Sequence, residues 1–83
     1  MIPPEMLQRT RKVRVLYTLY RLGRPATVKE VCELLMDTYT PVYNTLNDLH
    51  IPEKNKGTAL VERVDKAWGL TDSGRKEAEK LIV

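Results

Sequence analysis

A mainly α-helical fold carrying one small β-hairpin (α+β), in the order α-α-α-β-β-α, is what the 83-residue chain predicts. Three observations carry that expectation. Apolar residues recur at three- and four-residue spacing in three stretches up to residue 50. Two short β-rich runs follow, separated by a two-residue polar link, and a capped helical stretch comes last.

Residues 27–50, T-V-K-E-V-C-E-L-L-M-D-T-Y-T-P-V-Y-N-T-L-N-D-L-H, organise the rest. Thr27 stands directly before an apolar-periodic run and Glu30 follows three residues later. That spacing is a capping box, in which the hydroxyl accepts from the Glu30 N–H and the carboxylate reaches back to the Thr27 N–H. Val28, Val31, Cys32 and Leu35 then fall on one helical face. The pattern breaks at Asp37. A second helix is predicted from Thr40-Pro41, because proline suits a first helical position and the residue before it avoids the α region, making Thr40 the N-cap. Val42, Leu46 and Leu49 form its inward stripe, while Thr40, Tyr43, Asn44 and Asn47 face outward. Two helices joined by a tight turn, the second with a polar outer face, make a helix-turn-helix.

Before this unit a long helix is predicted from about Glu5 to Leu22, with Leu7, Val13, Leu16, Tyr17 and Tyr20 on its apolar side; Gly23 and Pro25 stop it. Met6, Leu7, Val13 and Val15 are numerous for a helix covering a small core, which suggests a partner subunit. After the unit, Pro52 and Gly57 mark residues 51–58 as a loop. Residues 60–64 and 67–71 read as a hairpin linked at Asp65-Lys66, with Trp68 and Leu70 turned against the helices. Thr71 caps the last helix, residues 72–83. Asp72 sits in its first turn, where the helix dipole favours a negative charge, and Ala78, Leu81 and Ile82 form its apolar side.

Three segments together carry a family resemblance. V-Y-N-T-L-N-D-L at 42–49 resembles the recognition helix of winged helix-turn-helix transcription regulators. A-L-V-E-R-V and G-L-T-D-S-G-R resemble the same family's wing strand and its entry to the last helix. The resemblance spans residues 27–75 and implies one winged helix-turn-helix domain over residues 1–83, with the helix-turn-helix at 27–50 and the wing at 60–71. The chain departs from the family pattern at the longer 51–58 loop and at Ala59, where a glycine is common.

Composition limits the functional classes. Eighty-three residues allow one small domain, and 42% hydrophobic with 30% charged residues is ordinary for a globular protein. No apolar run nears the ~18 residues of a membrane span, and the M-I-P-P-E start lacks the apolar core of a signal peptide. A lone cysteine, Cys32, suits a reducing cytoplasmic setting. Cys32, His50 and Ser73 are each the only residue of their kind and fall on separate elements, and no metal-ligand spacing or glycine-rich phosphate loop occurs. An enzyme, a cofactor, a metal and a small-molecule ligand are therefore not expected. His50 is expected to meet the last helical carbonyls or solvent.

The net charge of +3 is unevenly placed. Residues 1–24 hold six bases against Glu5 alone, residues 25–50 hold Lys29 against four acids, and residues 51–66 hold four bases against three acids. An α-helix fits the major groove, where Asn44 and Asn47 offer the donor and acceptor of an adenine edge. Thr40 and Tyr43 suit a thymine methyl or a phosphate, and the first turn at Pro41 presents backbone N–H groups to phosphate. Lacking lysine or arginine, this helix would draw its phosphate affinity from the first helix and from Lys54, Lys56, Arg63 and Lys66; Lys54 and Lys56 read equally as solvated. The expected function is a double-stranded-DNA-binding transcription regulator, cytoplasmic and nucleoid-associated, acting as a homodimer through its terminal helices. The competing reading is a winged-helix module that docks on another protein, favoured by the acidic balance of residues 25–50. A third is nonspecific architectural DNA binding.

Overall fold

The computed structural model describes residues 8–82. Four helices and a two-stranded antiparallel hairpin follow one another as α1 (Arg11–Leu22), α2 (Val28–Leu35), α3 (Tyr39–His50), β1 (Val61–Val64), β2 (Ala67–Leu70) and α4 (Asp72–Ile82). The order is the expected α-α-α-β-β-α, a winged-helix-like arrangement. α1 lies at the centre, packed against α2, α3, α4 and β2. Val15, Leu16 and Leu19 from α1 meet Val31 and Leu35 from α2 and Val42, Leu46 and Leu49 from α3. All eight are within 2% of full burial, and each side chain taken from water contributes about 1.5–3 kcal/mol.

α1 begins later than the apolar pattern implied. Thr10 is extended (φ −62, ψ 160), and its hydroxyl accepts from the Val13 N–H at 3.4 Å, so the helix starts at Arg11 rather than near Glu5. A threonine oxygen that satisfies a first-turn N–H favours the cap over the helix interior. Met6 and Leu7 lie outside the described residues. Val15, counted above as surplus apolar surface, is wholly buried in the single chain, and Val13 packs at the margin of the core. Gly23 (φ 67) closes α1 in the left-handed region, with its N–H bonded to Leu19 O.

The capping box of α2 forms as read: Thr27 Oγ1 accepts from the Glu30 N–H and Glu30 Oε1 from the Thr27 N–H, each at 3.2 Å. Its C-terminus ends in a Schellman motif. Asp37 N–H bonds Cys32 O at 3.0 Å, Met36 N–H bonds Glu33 O at 3.3 Å, and Met36 takes the left-handed position (φ 56) that glycine usually fills. α3 then starts at Tyr39 with Thr38 as N-cap, two residues earlier than the Thr40-Pro41 start. Pro41 still falls in the first turn, where a missing N–H leaves no intrahelical bond unmade. The bias against helical geometry before proline is outweighed at Thr40, because the extra residues stack Tyr39 on Tyr43 one turn away.

Residues 51–58 are a loop with structure of its own. Pro52–Lys54 form a single 3-10 turn, and Asn55 is buried. Its Nδ2 donates to Asp48 O at 2.8 Å and Ile51 O at 2.7 Å, ending α3 with a side-chain cap. The hairpin pairs Val61 with Leu70 and Val64 with Ala67, one residue shorter at each outer end than 60–64 and 67–71. Asp65 supplies the positive φ (61) that a two-residue hairpin link requires at its first position. Ala26 and Trp68 exchange both backbone hydrogen bonds (2.9 and 2.7 Å), so the residue before the α2 cap forms an isolated bridge alongside β2. Thr71 caps α4 through the Gly74 N–H at 3.0 Å and donates its own hydroxyl to Ala59 O at 2.7 Å.

Two substitutions test this packing by urea denaturation. A Cβ at Gly74 would collide with the carbonyl of Leu60, so Gly74→Ala should destabilise by about 2–3 kcal/mol through overpacking, even though alanine is the better helix former. Met36→Gly should stabilise by about 1 kcal/mol, since the left-handed conformation costs a side chain about that much. A neutral Gly74→Ala would show that the α4–Leu60 approach can relax.

Candidate nucleic-acid interface

α3 presents three faces because its residues repeat every 3.6 positions. Val42, Leu46 and Leu49 are buried at 0–1% exposure and hold the helix down. Opposite them Thr40, Asn44 and Asn47 are exposed, at i, i+4 and i+7. Among the described residues none of the side-chain hydrogen bonds involves these three; the nearest uses are Thr45 Oγ1 to Pro41 O at 2.9 Å and Lys54 to Asp48. Tyr39, Tyr43 and His50 occupy the flank toward the hairpin.

That flank is an aromatic series. Tyr39 and Tyr43 lie nearly parallel (8°) with centroids 6.1 Å apart. Tyr43 meets Trp68 edge-on at 6.5 Å, and His50 meets the same ring edge-on at 5.7 Å. His50 does not face the last helical carbonyls or open solvent alone. Its Nδ1 lies 3.0 Å from Val61 O, so the Nδ1–H donates to β1 and ties the end of α3 to the hairpin. Trp68 is 3% exposed, and the Arg63 guanidinium covers it at 5.5 Å from the ring centroid, a cation–π contact. Arg63 Nε also donates to Asp65 O at 3.3 Å.

The expected DNA-contacting residues fall into separate groups. Tyr43, Arg63 and Lys66 line one cleft between α3 and the hairpin, together with Lys29 and Tyr39. Thr40, Asn44 and Asn47 form the exposed stripe beside it, with Pro41 half-buried at the start of the next face. Lys54 does not join them: its Nζ is 3.0 Å from Asp48 Oδ1, which neutralises the acid on the far side of α3. Lys54, Asp48, Thr45 and Lys12 border a second depression on that side. Lys56, exposed and in the left-handed region (φ 58), lines neither. Lys29 and Tyr39 are the residues sequence reasoning left out. Tyr39 falls before the predicted Thr40-Pro41 start, and Lys29 enters the sequence reading only through the charge of its segment. The four-residue spacing of Tyr39 and Tyr43 was the available signal.

The turn that aims α3 is fixed electrostatically. Arg11 Nε donates to Asp37 Oδ2 at 2.7 Å, and Asp37 Oδ1 accepts from the Thr38 N–H at 2.8 Å. The Arg11 hydrogen bond holds the Asp37 carboxyl below the usual aspartate range, with Thr38 and the charges of Arg11 and Arg14 adding to it against the cost of burial. Burial, reinforced by Asp37, pushes the neighbouring Cys32 thiol up, and its Sγ sits 3.5 Å from Thr38 O. Cys32 is therefore a packed thiol beside the turn. Among the described residues no group of His, Cys, Asp and Glu side chains is placed to hold a metal ion. No helix among the described residues is long and apolar enough to cross a membrane.

Comparisons with protein-family models, with curated proteins and with solved structures find no match for this chain.

The Asp37 shift makes a prediction with a definite sign. A carboxyl held low when folded contributes stability above its unfolded value near ~4, and loses it as pH falls through the lower folded value. Urea midpoints should drop on acidification in the wild type, and Asp37→Asn should flatten that part of the acid limb. The same limb in both proteins would rule out the pair as its source.

Proposed function

We propose that the chain is a winged helix-turn-helix regulator that lays α3 in the major groove of duplex DNA. The observation that carries this reading is the exposed polar stripe Thr40–Asn44–Asn47 on a helix held from behind by three buried residues. Asparagine pairs bidentately with an adenine edge, and threonine methyls pack on thymine. Phosphate attraction comes from the cleft cations Lys29, Arg63 and Lys66, with Lys12 and Lys56 also exposed. Lys54 contributes less because Asp48 already takes its charge. On this reading the protein works inside the cell at the nucleoid, and two chains joined through their terminal helices read paired half-sites.

A docking module for another protein is the second reading. It is favoured by apolar side chains left exposed around the helix-turn-helix turn: Met36 at 90%, Tyr39 at 59% and Leu34 at 36%.

A titration with a fluorescent random-sequence duplex at several salt concentrations, alongside sedimentation, separates these readings. DNA binding predicts a negative salt slope of about 0.9 per phosphate neutralised, and Lys66→Gln should lower its magnitude by about 1. Asn44→Ala should change which duplexes are preferred, by about 1–3 kcal/mol at one base pair, with the salt slope intact. No duplex binding at low salt would leave the docking reading.

A further inference from the structure

We propose that the cleft between α3 and the hairpin captures an unpaired nucleotide, its base against the Tyr39–Tyr43 rings and its phosphate among Lys29, Arg63 and Lys66. The inference rests on the reading of this side of the molecule as facing nucleic acid, and it adds a single-stranded target to a duplex one. The cleft is open to solvent and offers about 380 Å³.

Its lining is selective. Every charged residue along it is basic, and among the described residues none of Lys29, Arg63 and Lys66 forms a salt bridge with an acid. Elsewhere on the surface Arg11, Arg24 and Lys54 each have one. The aromatic wall is graded from fixed to free. Trp68 is buried, Tyr43 is half-buried and braced edge-on against it, and Tyr39 stacks on Tyr43 with 59% of its surface exposed.

A phosphodiester of intact duplex would engage the cations and offer Tyr39 at most a hydroxyl contact, leaving its exposed ring unused, because paired bases present edges rather than faces to the groove. An acidic peptide would likewise need only the cations. An unpaired nucleotide uses both, stacking its base on an aromatic face while its phosphate meets positive charge. Tyr39, rather than the buried Trp68, is the ring with a face to offer.

The test uses the full chain and three fluorescein-labelled probes: ten-nucleotide oligothymidylate, ten-nucleotide oligouridylate and a blunt random-sequence duplex. The chain should bind a single strand with a negative salt slope. Tyr39→Ala should weaken that binding by between about 5-fold and 150-fold, the span of one base–aromatic stack, while Tyr39→Phe retains it. Blunt-duplex affinity should change less than about 2-fold in either variant. Lys29→Gln and Lys66→Gln should each lower the single-strand salt slope; Arg63 is left intact because it shields Trp68. The two single strands distinguish DNA from RNA as the source of the nucleotide. Absence of single-strand binding at low salt, an unaffected Tyr39→Ala, or an equal loss on blunt duplex would each overturn the proposal. Failure of the regulator reading shows instead as a missing duplex signal, whatever the single-strand arms do.

Discussion

Trp68 joins the two halves of this molecule through both its backbone and its side chain. Its N–H and carbonyl bond Ala26, the residue just before the Thr27 cap, and its ring lies under Tyr43, His50 and Arg63. A two-stranded hairpin with four-residue strands has little stability alone in water. Clamped at Ala26 and roofed by the aromatic flank of α3, it becomes a fixed neighbour of the helix. The spacing of Tyr39, Tyr43 and Lys29 from Arg63 and Lys66 follows from that clamp. So does the cleft they share.

The orientation of α3 depends on a second constraint at its other end. The α2–α3 turn is tight, uses a non-glycine residue in the left-handed region, and is held to α1 by Arg11 and Asp37. Met36 shows where stability has been given up. It is almost fully exposed, so packing gives no reason for a methionine there, while the backbone geometry favours glycine.

The inward residues of the helix-turn-helix, the capping box and the Thr71 cap were legible because each rests on local spacing that tertiary contacts reinforce. The start of α3 was not. Proline at 41 gave a strong local signal for a helix beginning beside it, and the signal lost to a longer-range arrangement of Asp37, Thr38 and the Tyr39–Tyr43 stack. The start of α1 erred for the opposite reason, since apolar periodicity continues through residues where the Thr10 hydroxyl caps the helix. Asn55 could not be read at all as a capping residue. Its role depends on a chain reversal that brings it back beneath Asp48 and Ile51. The candidate site was half visible: the outward stripe follows from helical period alone, whereas the convergence of Lys29 with the wing cations needs the Ala26–Trp68 bridge.

If α3 reads duplex DNA as proposed, the Asn55 cap also sets how much it can discriminate. With Pro52 forcing Ile51 out of helical geometry and Asn55 taking the carbonyls of Asp48 and Ile51, the helix ends at twelve residues, a rod of about 18 Å. Base pairs rise about 3.4 Å along the duplex axis, so such a rod lies beside no more than about five of them. Five base pairs distinguish roughly a thousand sequences, against the ~10⁶–10⁹ competing sites of a genome. A longer helix would add reading length, but it would have to displace the buried asparagine and the loop it anchors. On that proposal, information beyond the limit would come from outside α3, whether from a second copy of the chain or from a feature of the target other than its base sequence.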